Sequence, residues 1–207
     1  MKLLRLLITV ALAFLTACTA TIERNHLSSD LKLPISKIAV VYVGAPPAEK
    51  DVRNSLGMLL FSPINALFVS DRATLIQDAR ALGEHVLSAL PAELQKAGVQ
   101  GEHSMHYLQH KPRSKAELEK LIGKPAVEGS VLLIQPISAR MECERACFVF
   151  TLDAVLYQDH LNSPGKWAAS IVAPPKASKF SDFSKPGQSV AAVLVEKLKE
   201  DKVLKSM

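Results

Sequence analysis

The chain has 207 residues, with 25 Lys and Arg against 20 Asp and Glu and a formal charge of +5. That length suits one domain with enough interior for a core, and the scattered basic residues form none of the runs that mark a nucleic-acid partner. Nine glycines, none set in a phosphate-cradling loop, argue against nucleotide chemistry.

The chain opens with Lys2 and Arg5, an apolar run from Leu6 to Leu15, and the small residues Thr16 and Ala17 before Cys18. A cationic start, a short apolar stretch and small residues at a cleavage point make up a secretory signal. The run from Leu6 to Ala17 falls short of the roughly 18 to 20 residues needed to cross a bilayer, so it is not read as a transmembrane anchor.

Leu15-Thr16-Ala17-Cys18 resembles the lipobox of bacterial lipoproteins. The resemblance implies that signal peptidase II removes residues 1–17 and that the Cys18 sulfur carries a diacylglycerol with palmitate-type chains. In two-membrane bacteria, Thr19 rather than Asp after the cysteine implies an outer-membrane lipoprotein facing the periplasm. Each buried methylene contributes about 0.8 kcal/mol, and two or more chains hold durably where one does not. Removing Lys2 and Arg5 from the 25 basic residues leaves 23 against 20 acidic ones, the balance of an ordinary solvated surface.

From Thr19 to about Leu33 the chain is polar and without periodicity, which reads as a flexible tether over residues 18–33. A single α/β domain is then expected over 34–207. Lys37 to Val43 is apolar on both faces, with Ile38, Val40 and Tyr42 opposed to Ala39, Val41 and Val43, as a central strand requires. The segment from Leu56 to Val69 carries large apolar residues interrupted by Pro63 and Asn65. It is either core or a docking surface, and in the second case Leu60, Phe61 and Phe68 are the partner-binding candidates.

A long helix is expected from Thr74 to Ala97. Thr74 and Gln77 fit a capping box, Leu75, Ala79, Leu82, Val86, Leu90 and Leu94 keep helical spacing, and Gly98 marks the stop. Pro91 is expected to kink it or to start a second segment. Val99 to Gln109 reads as a strand, and Ser114 with Glu117 caps a short helix that halts at Gly123. Ser130 to Met141 and Cys147 to Gln158 form an expected hairpin, with Pro136 predicting an edge position or a bulge. Lys166 to Ala173 extends this into an antiparallel meander, and Ser189 to Lys199 supplies a last amphipathic helix.

Cys143 and Cys147 follow the export signal, in a compartment where disulfides persist. A three-residue hairpin loop would bring the positions flanking Glu144-Arg145-Ala146 to cross-strand distance, so a structural bridge is expected, worth about 2 kcal/mol by chain entropy. The spacing is not the Cys-x-x-Cys of a redox site, and no further metal ligands lie nearby in sequence.

The resulting order β-α-β-α-β-β-β-α predicts an α+β fold, a mixed sheet of about five strands with helices packed mainly on one face. The strand Lys37 to Val43, the helix end Ala97-Gly98-Val99, the strand Phe148 to Tyr157 and the turn Gly165-Lys166-Trp167 resemble small α/β envelope lipoproteins. These are the relatives of the TolB amino-terminal domain and of the curli-secretion lipoprotein. The Gly-Phe-x-Leu-Arg signature of the lipopolysaccharide-assembly lipoprotein is missing. The resemblance implies a non-enzymatic accessory role in outer-membrane assembly, secretion or transport. The expected partners are the membrane, through the N-terminal lipid, and other envelope proteins or further copies of the chain.

No Gly-x-Ser-x-Gly elbow and no His-Glu-x-x-His helix is present, so no catalytic residue and no cofactor is assigned. His103, Met105, His106, Tyr107 and His110 would suit copper by ligand type. On the expected strand, however, His103 and His106 point to opposite sides, and solvated histidines are the better reading. Two alternatives stand beside the accessory role: a periplasmic carrier or sensor of an apolar ligand, and an enzyme whose site only the fold assembles.

Overall fold

The computed structural model describes residues 19–32, 35, 37–44, 65–98, 102–124, 129–141, 148–158, 161, 165–175 and 182–204, with the backbone alone for 65–73, 141 and 148. Among these, six strands and three helices follow one another: β1 (Thr21–Leu27), β2 (Lys37–Val43), α1 (Asn65–Lys96), β3 (Glu102–Leu108), α2 (Lys115–Ile122), β4 (Ser130–Met141), β5 (Phe148–Tyr157), β6 (Trp167–Val172) and α3 (Ser184–Glu200). The strands form one mixed sheet in the order β1-β6-β5-β4-β2-β3. The fold is α+β, as the pattern of elements predicts, with one strand more.

β2 sits inside the sheet, parallel to β3 on one side and to β4 on the other. Its alternating side chains are buried on both faces, which is why it carries no polar residue after Lys37. β4, β5 and β6 form the expected antiparallel meander. Pro136 lies in a central strand rather than at an edge. A shift in register between Pro136 and Ser138 accommodates it, since a bulge leaves the missing N–H outside the ladder.

α1 and α3 pack side by side on one sheet face. Between them and the sheet lies the main core, from Leu82, Val86 and Leu90 through Phe150, Leu152 and Trp167 to Val190, Leu194 and Leu198. The helices approach closely at Gly187, where a Cβ would stand 2.5 Å from His85 Cβ. α2 covers part of the opposite face, setting Leu118 against Ala39, Val41, Val43, Val131 and Leu133. Its caps are those expected: the Glu117 N–H donates to Ser114 Oγ at 3.2 Å, and the Gly123 N–H donates to the Glu119 carbonyl at 2.9 Å.

Four expectations are corrected. α1 begins at Asn65, not Thr74, because the Thr74-Gln77 pair offers a local cap that an upstream turn of helix makes unnecessary. The helix also runs through Pro91, without a break into two segments. It stops as predicted, with Gly98 at φ 68° and its N–H donating to the Gln95 carbonyl. α3 starts five residues earlier than Ser189, at Ser184, beside an Asp182 carboxylate that accepts from both the Ser184 N–H and hydroxyl.

The fourth correction concerns the tether. Residues 21–27 form an edge strand antiparallel to β6, so the chain from Thr19 to Lys32 is part of the fold rather than a flexible linker.

Candidate functional site

The expected anchor lies at Cys18, outside the described residues, and the chain that follows it is held from its second residue onward. Ala20 is 5% exposed, and its N–H donates to Ser189 Oγ on α3 at 2.6 Å. β1 then pairs with β6 from Thr21↔Val172 to Leu27↔Trp167, with one shift of register between Ile22 and Arg24.

The far end of β1 is fastened by side chains. Asn25 Nδ2 donates to Asp201 Oδ2 at 2.9 Å, and Trp167 Nε1 donates to the same oxygen at 2.7 Å. Lys197 Nζ stands 2.9 Å from the other carboxylate oxygen. Burial pushes the Asp201 carboxyl up, but the donors Trp167, Lys197 and Asn25 together with the Lys197 charge outweigh it and hold the pKa below the usual value. The Asp201 carboxylate thus joins β1, β6 and the end of α3.

Beyond β1, Asp30 accepts from Ser28 Oγ and pairs with Lys166, which lower its pKa to about 2. The Lys32 N–H donates to Gln158 Oε1 at 3.0 Å, and Gln158 Nε2 returns a bond to the Lys32 carbonyl at 2.8 Å. The Ile35 N–H donates to the Val203 carbonyl. No sequence motif announced this stitching, since its partners lie more than a hundred residues away. The only local signals were the polar residues themselves.

The histidine strand is a strand, as expected. His103, Met105 and Tyr107 share the face of Ile38, Val40 and Tyr42, while Ser104 and His106 take the opposite face. His106 Nε2 lies 2.9 Å from Ser104 Oγ, and partial burial lowers its pKa. His110 is exposed beyond the strand end. Among the described residues no group of three His, Cys, Asp or Glu could hold a metal.

Tyr107 instead stacks on Tyr42, with centroids 6.1 Å apart and planes at 15°, and the Arg80 guanidinium from α1 lies over its ring, 5.9 Å from the centroid. The fully buried Tyr42 hydroxyl donates to the Ala79 carbonyl at 3.1 Å. Burial, with Tyr107 adding to it, pushes the Tyr42 phenol far up, so it stays protonated and serves as a structural donor.

The remaining predicted site residues are not assembled by the described residues. Cys143, Cys147, Leu60 and Phe61 lie outside them. Phe68 falls on the backbone of the first turns of α1. No described helix is long and apolar enough to cross a membrane.

No protein-family model matches the chain, and no curated protein matches it by sequence. Among solved structures it is similar to a PelC dodecamer from Paraburkholderia phytofirmans, at 15% identity and a TM-score of 0.42, over 90% of this chain and 99% of that one. A single-substitution variant of that dodecamer gives 17% identity and a TM-score of 0.42, over 91% and 99%. Likeness of this degree carries no argument about function.

Proposed function

We propose that the chain is an envelope lipoprotein, held to the outer membrane through acyl chains on Cys18. Its α+β domain faces the periplasm and acts as a non-enzymatic binding component in assembly, secretion or transport. The observation that supports this is the placement of the lipobox-like Leu15-Thr16-Ala17-Cys18 directly ahead of the folded chain. Cleavage before Cys18 leaves every described element intact, because β1 starts at Thr21 and Ala20 bonds to Ser189 on α3.

The partners are other envelope proteins or further copies of the chain, met through the apolar segment that includes Leu60, Phe61 and Phe68. Two hydrophobic chains at one sulfur are enough for lasting attachment of such a body. Intact-mass measurement on protein extracted from native envelopes, with detergent phase partition of wild type and Cys18→Ser, tests the reading. The expected outcome is an acylated N-terminus at Cys18 and loss of detergent partition in the variant. A chain that begins at Met1, or one that enters the aqueous phase, would overturn it. Crosslinking in the envelope then identifies what the domain binds.

A further inference from the structure

The sheet ends in two edges, β1 and β3. β1 carries features that deter further pairing, a shift of register between Ile22 and Arg24 and the charged Glu23 and Arg24. β3 carries neither. Its register with β2 is unbroken from Lys37↔Glu102 to Val43↔Leu108, and after Glu102 it has no Lys, Pro or acidic residue. The Gly44 N–H donates to the Leu108 carbonyl, so the even-numbered residues of β3 turn their backbone groups toward β2. His103, Met105 and Tyr107 turn theirs outward, where no described strand pairs with them. Such a row of N–H and C=O groups recognises one kind of ligand, an extended backbone. We propose that this backbone is β3 of a second copy of the chain, paired antiparallel about a two-fold axis at Met105, so that one sheet runs through both copies. The joint is separate from the Leu56 to Val69 segment and does not depend on acylation.

In that register β3 is complementary to itself. His103, Met105 and Tyr107 meet Tyr107, Met105 and His103 of the second copy as hydrogen-bonded pairs, so every outward group of the three is used. Moving the axis to Ser104 or to His106 would carry Tyr107 or His103 past the end of the opposing strand. On the helix side the half-buried Met105 covers its own counterpart, and Tyr107 lies against His103. At the rim stands Glu102, whose side chain is 82% exposed and whose carboxylate contacts Lys37 alone among the described residues. It comes diagonal to the exposed His110 of the second copy and near the exposed Lys111, a charge match that the symmetry makes twice. α1 packs over both β2 and β3, so its two copies run antiparallel about 10 Å apart across the axis, an ordinary distance for packed helices. An axis perpendicular to the sheet also sets the two Ala20 positions at equal height along it, as two chains anchored in one bilayer require.

The test is disulfide crosslinking of the full-length protein in native envelopes, with the joined positions mapped by proteolysis and mass measurement. Met105→Cys falls on the axis, where facing Cα atoms stand about 5.5 Å apart and a disulfide can close. Tyr107→Cys falls about 14 Å from its own counterpart, too far for one. The expected result is a 105–105 link after mild oxidation, no 107–107 link, and a 103–107 link when His103→Cys and Tyr107→Cys chains are expressed together. Met105→Pro removes only an outward N–H, so it leaves the ladder to β2 in place and deletes two hydrogen bonds across the joint. It should weaken dimerisation by about tenfold or more, read by light scattering, with thermal unfolding nearly unchanged. Links at 107–107 as abundant as at 105–105 overturn the register. A chain that stays single in the envelope, or a foreign polypeptide joined at 105 in place of the second copy, overturns the dimer, and these readouts stand even where Met105→Pro fails to fold.

Discussion

Trp167 and Asp201 stand 34 residues apart in the chain, yet the indole N–H donates to the carboxylate at 2.7 Å. The same oxygen accepts from Asn25, so one acidic group at the end of α3 holds an internal strand and an edge strand together. A mostly buried indole that loses its acceptor keeps the desolvation penalty without the bond. Asp201→Ala should therefore lower unfolding stability by about 1 to 3 kcal/mol, with Asp201→Asn milder because its amide oxygen can still accept. Urea unfolding measures this, and an unchanged midpoint for Asp201→Ala would show that the bonds are not made.

The same carboxyl sets a pH dependence. Its folded pKa lies below the ordinary value, so its contribution is present above about pH 4 and is lost as the pH falls through the folded value. Asp30 and Asp182, also lowered by their hydrogen bonds, act in the same direction. Wild type should lose stability on acidification below about pH 4, and Asp201→Asn should lose less over the same range. Parallel acid profiles for the two proteins would remove Asp201 from the account.

Two glycines test the packing of α1. A Cβ at Gly83 would stand 2.2 Å from the Tyr42 ring, which is buried and tied to Ala79, and one at Gly187 would meet His85 and its backbone. Alanine ordinarily gains about 0.5 to 1 kcal/mol over glycine inside a helix. Here overpacking should reverse the sign, so that Gly83→Ala and Gly187→Ala each destabilise by about 1 to 3 kcal/mol. A stabilised variant would contradict the close approach at that position.

The β4–β5 register closes at Met141↔Phe148, and both cysteines fall between these two positions in sequence, outside the described residues. A bridge between Cys143 and Cys147 is proposed for an exported chain. Thiol titration of unfolded protein should find these two groups only after reduction, and replacing both with Ser should cost about 2 kcal/mol. Two thiols titrating without reductant would dismiss the bridge.

Phe61 and Phe68 decide between core and interface for the apolar segment. If it docks a partner, the double Ser variant should lose crosslinked partners from the envelope with its thermal unfolding nearly unchanged. A loss of about 3 kcal/mol or more in stability would assign both rings to the core instead.

Local chemistry was enough to determine β2, β4, β5 and β6, because alternation and fully apolar runs report directly on which faces are buried. It also determined both ends of α2, where Ser114, Glu117 and Gly123 satisfy the helix termini within a few residues. Pro136 announced an edge position or a bulge, since its missing N–H cannot join a regular central ladder, and the tertiary structure decided for the register shift. Only the tertiary structure decided β1. Thr21–Leu27 is mostly exposed and has no apolar rhythm, and its order comes from the backbone of β6 and from Asp201 and Ser189, more than 160 residues away. A strand held by distant partners at a sheet edge leaves little mark on its own residues, because the energy that orders it lies in bonds that do not exist until the rest of the fold has formed.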